Sequence, residues 1–591
     1  MISKSWFILG LPLVAACSAP LAAPHVTLAP DLGKRLEAEH AVVTSAHPAA
    51  SEAGFEMLRK GGNAIDAAVA TAFTVSVGEP QMSGMGGGGG MLIWLQDEQR
   101  AEYVDFYAAQ LPESFRGLSL DDAPRTDLRT VAIPGEVAGL LEAHERFGNL
   151  SRAEVMAPAI RLAEEGFPIN QILAQMIAMD SAKLARYPRA SRVFLPDGRP
   201  LRAGDILRQP ELANTLRLVA EQGRDGFYKG EVAEAVVATL NAGGHPASLA
   251  DFAAVTPRWK RPMCGDYRGY TVLSAAPPQT GVQILQTLEL LEPYDLESLG
   301  LPTQSAAAFD VLTSALRVGM SDSQYNQDPN WVDAPVNAVA SPGYASARAG
   351  MVGSGRAPAE IEAGDPADFR RPPAAGRCAR LDPYRAGIAG PVASTHASPS
   401  VEISSTAGGE TTHLSVVDAD GNAVSLSQTN SSVFGSGARV AGFFLNNSGI
   451  IFSDEETPFT PTLTGSDPWR VRKSTISPTI VLQDGQVAMV VGAPGGGRIP
   501  TEIVQNMVYV LDYDLDPLAA LRMPRIYPSD EDPQVQLETG FPADVLADIR
   551  EMGYDPVAES FGYARLYMIV RAGDLWIGVA DPRHNGEVRG Y

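Results

Sequence analysis

Hydrophobic positions along the first two-thirds of the chain recur at helical spacing. Residues 49–76, AASEAGFEMLRKGGNAIDAAVATAFTVS, set Ala, Leu, Met, Ile and Val three and four apart. Gly61-Gly62 interrupts the run, so the pattern predicts two helices joined by a glycine stop. The same spacing predicts helices from Pro134 to Phe147, Arg152 to Gly166, Val282 to Leu291 and Gln304 to Gly319. Between Gly353 and Glu410 the texture changes to Pro, Gly, Ala and Ser with few large apolar residues, which predicts an exposed connector over 353–410. Directly after it, HLSVVDADGNAVSLSQT alternates apolar and polar residues on both sides of an Asp-Gly-Asn turn. That is a hairpin signal, and its first strand starts at Thr411 or Thr412. Strands are also expected at 478–484, 487–492, 566–571 and 575–580, so the last third reads as strand-rich.

Composition narrows the class. The 591 residues allow one to three domains, and 45% hydrophobic with 19% charged residues is ordinary globular composition. Sixty-nine acidic against 46 basic residues give a net charge of −23, which repels nucleic acid and excludes it as a partner. Lys4 precedes an apolar stretch from Trp6 to Ala16, the length of a signal-peptide core and too short to span a bilayer. A signal peptide is therefore expected over 1–23, with export to a bacterial periplasm. Val14-Ala15-Ala16-Cys17 resembles a lipobox, which would make Cys17 a lipid anchor, while the Ala-rich run to Ala23 offers an ordinary cleavage site. Cys264 and Cys378 then remain, a pair compatible with one disulfide, with two unpaired thiols as the plainer reading.

Candidate chemistry is concentrated at a few places. Gly84 to Gly90 satisfies GxGxxG, but no Walker lysine and no correctly spaced acid follow, so these glycines read as close backbone packing. The histidines show no metal-ligand spacing, and no metal or cofactor is expected. His413 shares a strand face with Thr411 about 7 Å away and reads as a structural histidine. The Thr411-Thr412 doublet stands where connector meets core strand, so a cut there would leave a threonine as a new N-terminus. Its α-amine, titrating near about pH 7.7–8.0, would serve as base for its own hydroxyl. A plain strand-start threonine is the alternative. Downstream, VAMVVGAPGGGRIPTEIVQNMVYVLDY reads as strand, glycine loop and helix. The N–H groups of Gly495 and Gly496, ahead of the helix, could stabilise an oxyanion, or could simply make a turn.

TTHLSVVDADGNAVSLS, GAPGGGRI, AHPAASEAGFEMLRKGGNAIDAAVATAFTVSVGEPQMSGMGGGGG, IPGEVAGLLEAHERFGNLS, APAIRLAEEGFPI and GDYRGYTVLSAAPP resemble γ-glutamyltranspeptidases, in order, from about Ala41 to the C-terminal ADPRHNGEVRGY. The resemblance implies an α+β fold, a four-layer αββα N-terminal-nucleophile hydrolase sandwich formed by two subunits cut from one proenzyme. The subunits would be a large helix-rich piece of 24–410 and a small strand-rich catalytic piece of 411–591, held together as a heterodimer. It also implies that Thr411 is the nucleophile, Thr429 the threonine that hydrogen-bonds it, Gly495 and Gly496 the oxyanion-hole glycines, and Ser474 with Thr475 the hydroxyl pair that holds a substrate α-carboxylate. The partner would be a small-molecule amide, by family default a γ-glutamyl amide such as glutathione, with acyl transfer to water or an amine.

The substrate half departs from this pattern. Where the family has Asp-Phe-Arg-Glu, this chain has Asp105-Phe106-Tyr107-Ala108, so Tyr107 stands in place of the arginine that pairs with the glutamyl carboxylate. Leu445-Asn446-Asn447-Ser448, followed by Ile451, replaces a segment whose Gln and Asp receive the α-amine. Ser431 falls where an asparagine contact is expected, with Asn430 one residue out of register. Other basic residues, such as Arg100, Arg439, Arg470 or Arg472, would then have to supply the charge from a different position. Relatives of the family include cephalosporin-acylase-like amide hydrolases whose acyl group lacks the amino acid head. The alternatives to the γ-glutamyl donor are thus an acylase with a non-glutamyl donor and a matured but inactive binding protein.

Overall fold

The computed structural model describes residues 33–108, 124, 126–329, 334–369, 378–381, 410–449, 473–559 and 562–591. The expected signal peptide over 1–23, Cys17, Ile451, Arg470, Arg472 and most of the connector 353–410 lie outside the described residues.

Fourteen strands build two large sheets. In chain order they are β1 (Arg35–Ala38), β2 (Val42–Ser45), β3 (Gly88–Leu95), β4 (Arg100–Asp105), β5 (Arg258–Lys260), β6 (Met263–Tyr267), β7 (Tyr270–Ser274), β8 (Thr411–Val417), β9 (Ala423–Thr429), β10 (Thr479–Gln483), β11 (Gln486–Gly492), β12 (Tyr567–Ala572), β13 (Leu575–Ala580) and β14 (Glu587–Gly590). The first sheet runs β14-β2-β8-β9-β3-β4-β5 and the second β1-β13-β12-β11-β10-β7-β6. Every neighbouring pair in both is antiparallel. Helices α1 (Pro48–Arg59), α2 (Ala64–Gly78), α3 (Glu136–Phe147) and α4 (Arg152–Glu165) pack on the first sheet's outer side, and α5 (Gly281–Leu291), α6 (Ala306–Ser321) and α7 (Arg498–Leu511) on the second's.

Three apolar clusters fill the space between these layers. One joins α1–α4 to the outer face of the first sheet, including Leu414, Val416, Val424 and Leu426. A second joins α5–α7 to the outer face of the second sheet. The third lies between the sheets and takes Val417 and Ala423 from the first with Ile480, Val490 and Tyr567 from the second. This is the four-layer αββα sandwich that the sequence resemblance implied.

The predicted helices form where the periodicity put them, and local chemistry fixes their ends. Asn63 caps α2 reciprocally with Asp66, and Ser151 caps α4 with Glu154. Gly61 takes φ +85 just after α1, the left-handed conformation that ends a helix. The hairpin and the later strands also form as expected. The division into a helical first part and a strand-rich last third holds only in part, because half of the fourteen strands precede Thr411. β2 and β3 escape the alternation test because their surroundings bury both faces: all eight residues of β3, GGGMLIWL, are buried.

Cys264 on β6 and Cys378 form a disulfide with Cα atoms 5.6 Å apart, correcting the reading of two unpaired thiols. Both precede Thr411, so this bond does not tie residues 411–591 to the rest. Among the described residues no helix is long and apolar enough to cross a membrane.

Candidate active site

Alternation along β8 decides where Thr411 points. Leu414 and Val416 face the helices, so Thr411, His413, Ser415 and Val417 face the second sheet. On β9 the same logic turns Ser425, Ser427 and Thr429 toward that sheet. Ser415 Oγ donates to the Tyr567 carbonyl at 2.9 Å, and Ser425 Oγ to that of Val491 at 3.0 Å. The antiparallel register sets Thr411 directly opposite Thr429, with Gly88 of β3 on the far side of Thr429. Glycine is required in this neighbourhood: a Cβ on Gly87 would lie 2.2 Å from the Thr429 carbonyl oxygen, and one on Gly89 2.1 Å from that of Ser427. The glycine run is therefore a packing device, as its sequence context suggested.

Thr429 Oγ1 donates a hydrogen bond of 2.5 Å to the carbonyl of Glu410, the oxygen of the Glu410–Thr411 peptide bond. The resemblance assigned this hydroxyl to the Thr411 side chain; in the intact chain it is on the peptide bond itself. The Ser431 N–H donates back to Thr429 Oγ1 at 2.8 Å, and Ser431 takes φ +74 to reach it. Ser431 Oγ lies 2.6 Å from Ser448 Oγ and 3.4 Å from the Tyr107 hydroxyl. The hydroxyls of Tyr107, Ser431 and Ser448 thus cluster together, joined through the Ser431 N–H to the Thr429 hydroxyl on the Glu410 carbonyl. A charge-assisted bond is worth roughly 1.5–3 kcal/mol, the scale relevant to an oxygen gaining negative charge. Thr429→Val should accordingly slow any cleavage at this peptide bond by about ten- to a hundredfold. Time courses on denaturing gels read this directly.

His413 behaves as the structural histidine expected. Its Nδ1 lies 2.8 Å from Ser427 Oγ and its Nε2 3.2 Å from Ser415 Oγ, and burial lowers its pKa to about 3. The ring is neutral and engaged at both nitrogens, so it is not a base for Thr411. A Cβ on Gly492, the last residue of β11, would lie 2.2 Å from the His413 ring. The loop from Ala493 to Gly497 therefore departs two residues from Thr411, on the face to which Thr411 points. Gly496 takes φ +57, and a Cβ on Gly495 would lie 2.5 Å from the Ala564 side chain. The carbonyls of Gly495 and Gly496 accept from Arg498 and Ile499, which ties both glycines to the positive end of α7.

Tyr107 is buried and packs against Ile476, next to the Ser474-Thr475 pair. Ser474 pairs by its backbone with Gln279, and the Thr475 carbonyl accepts from Thr280 Oγ1 at 2.9 Å. The structure thus gathers Tyr107, Ser431, Ser448 and the Ser474 segment. It does not gather Asn430, whose buried side chain turns to the glycine loop, within 2.7 Å of a Cβ built on Gly87. Nor does it gather two candidate cations: Arg100 pairs with Glu98 and Glu102, and Arg439 with Glu211. Two cations the sequence reading overlooked do lie here. Arg258 Nη2 is 3.3 Å from the Tyr107 carbonyl and 3.4 Å from Asp105 Oδ1. Lys260 Nζ is 3.1 Å from Asp105 Oδ2 and 2.9 Å from Asp328 Oδ2. Burial pushes the Asp105 pKa up, but Arg258 and Lys260 outweigh it and hold the carboxyl below its usual value. Each of the two cations therefore meets a carboxylate. Pairing of β4 with β5 sets Asp105 opposite Arg258, a register no sequence motif announces. Among the described residues no group of three or more His, Cys, Asp or Glu side chains is placed to hold a metal ion.

Known proteins resemble the chain over most of its length. The sequence pattern of the gamma-glutamyltranspeptidase family matches residues 50–591. A glutathione hydrolase proenzyme of Bacillus subtilis is 32% identical over 566 residues, 93% of this chain and 91% of that protein. The acylase ACY 1 proenzyme of a Pseudomonas species is 31% identical over 558 residues, 91% of each. The crystal structure of a cephalosporin acylase from Bacillus halodurans superposes with a TM-score of 0.79 at 26% identity, covering 98% of this chain and 99% of that one. With the matching sandwich fold and family pattern, the chain belongs to the γ-glutamyltranspeptidase family.

Proposed function

We propose that the chain is a threonine-nucleophile amide hydrolase or acyltransferase that frees its own nucleophile and takes an acyl donor without an amino acid head group. In the intact chain Thr411 Oγ1 attacks the Glu410 carbonyl carbon while the Thr429 hydroxyl stabilises its oxygen. The C–N bond breaks, an ester forms on Thr411, and water hydrolyses it, leaving a Glu410 carboxylate and a free Thr411 amine. The pieces stay together because β8 remains paired to β2 and β9 to β3. The freed amine then accepts the hydroxyl proton as Thr411 attacks a substrate amide. Gly495 and Gly496 N–H groups stabilise the oxyanion, and the proton passes to the departing amine. Water or an acceptor amine releases the acyl group.

The observation that carries the donor assignment is Tyr107. It occupies the arginine position in a buried setting of Ser431, Ser448 and Ile476, with Arg258 and Lys260 facing Asp105 and Asp328. A γ-glutamyl carboxylate brought here would lack the bidentate cation that the family arginine supplies. Relatives named as a cephalosporin acylase and an acylase proenzyme support this reading, while those named glutathione hydrolase proenzymes favour the glutamyl donor. Release of p-nitroaniline from γ-glutamyl, glutaryl and hexanoyl p-nitroanilides separates the readings. The proposal expects kcat/KM for the uncharged hexanoyl donor to exceed that for the γ-glutamyl donor by at least about tenfold, with the glutaryl donor showing how much of the difference lies in the carboxylate. Preference for the γ-glutamyl donor would overturn it.

A further inference from the structure

The turn after α2 grips the Thr411–Thr429 pair from the helix side. Thr412 alternates away from Thr411, and its Oγ1 donates to Glu79 Oε2 at 2.8 Å. The Asn430 N–H donates to the Met82 carbonyl at 2.9 Å and the Phe434 N–H to that of Gln81 at 2.8 Å. Gln428 Nε2 donates to Ser83 Oγ at 3.1 Å. Residues 79–83 therefore hold β8 at the residue after Thr411 and β9 on both sides of Thr429. Within this clasp, the Thr412 contact is made by an ionisable side chain.

Glu79 is 1% exposed and stands at the C-terminal end of α2, where the helix dipole disfavours a carboxylate. Its second oxygen, Oε1, faces His584 Nε2 at 3.3 Å. The Tyr567 hydroxyl lies 3.0 Å from His584 Nδ1, and Lys34 Nζ donates to the His584 carbonyl at 2.6 Å. Burial pushes Glu79 up to about 7, with the Thr412 hydroxyl and the Arg565 charge pulling against it. Burial, then Arg565, Lys34 and His47, holds His584 well below its usual range, so its imidazole is neutral and the two do not form an ion pair.

We propose that Glu79 is a positioning residue, which through Thr412 makes the alignment of Thr411 against Thr429 depend on pH. Ionised, it accepts a charge-assisted bond from Thr412 and fixes the start of β8; protonated, it holds Thr412 less firmly. This rests on the reading of Thr411 as a self-freed nucleophile.

Cleavage of the precursor is the suitable readout, because before the cut Thr411 has no free amine to titrate. Full-length precursor made by cell-free synthesis at pH 5.5 is shifted to a series of pH values from 6 to 8.5, and the cleavage rate is followed on denaturing gels. The wild-type rate should rise through about pH 7 by roughly fivefold more than that of Glu79→Gln, which keeps the shape and loses the charge. Thr412→Val should lose the same step, the double variant should lose no more, and Thr412→Ser should restore it. If Glu79→Gln gives no folded protein, Thr412→Val carries the comparison alone. A Glu79→Gln or Thr412→Val precursor that keeps the wild-type pH step, slower or not, overturns the proposal. A wild-type precursor uncut at every pH sinks the nucleophile reading, and this proposal with it.

Discussion

Thr411→Ala protein is expected to run as one uncut chain on a denaturing gel and to release no p-nitroaniline from any acyl donor. Wild type should show two fragments, with or without reductant, since Cys264 and Cys378 lie on the same side of the cut. The expectation follows from what surrounds the Glu410–Thr411 bond. The Thr412 hydroxyl points to the opposite face and is spent on Glu79. His413 is neutral and engaged by Ser427 and Ser415. Thr429 already donates to the carbonyl, so it polarises the bond without being placed as a second attacker. Removing one oxygen should therefore cost the cut and the turnover together, a loss of at least roughly 10⁴-fold in rate. Thr411→Ser, which keeps a hydroxyl and after cleavage an amine, should still split and still turn over. Splitting of the Ala variant would mean that another group opens the chain.

Tyr107→Arg is expected to shift donor preference toward γ-glutamyl amides. Restoring a charge partner at a buried site is worth about 2–5 kcal/mol where geometry is good, or roughly thirty- to several-thousandfold. The site is prepared in part: Ser431 and Ser448 line it, and Ser474 with Thr475 lie beyond Ile476. Asp105, two residues away, already meets Arg258 and Lys260, so a new guanidinium would not be drawn onto an unpaired carboxylate. A rise of tenfold or more in γ-glutamyl kcat/KM, with a fall for hexanoyl-p-nitroanilide, is the expected pattern. An unchanged ratio would mean that another residue sets the donor.

The hairpin that carries Thr411 and Thr429 was legible in the sequence because an Asp-Gly-Asn turn fixes its register and polar and apolar residues alternate along both arms. That register is what sets Thr411 against Thr429. α1 and α2 were legible for a related reason, a helical period broken by Gly61-Gly62. β2 and β3 were not, since burial on both faces removes the alternation that marks a strand. Glu79 and Arg258 belong to no sequence pattern that singles them out; each gains its role only through a contact hundreds of residues away or across a strand pair. The Cys264–Cys378 bond was hidden for the same reason, because a separation of 114 residues carries no distance.

Intact-mass measurement of the purified wild-type protein, denatured immediately before injection, bears most directly on Thr411. A species with the mass of residues 411–591 starting at Thr411 is predicted, and incubation with an acyl p-nitroanilide followed by acid quench should add one acyl group to that species alone. A single uncut chain, a fragment starting at Thr412 or elsewhere, or an acyl group carried by the larger piece would contradict the account.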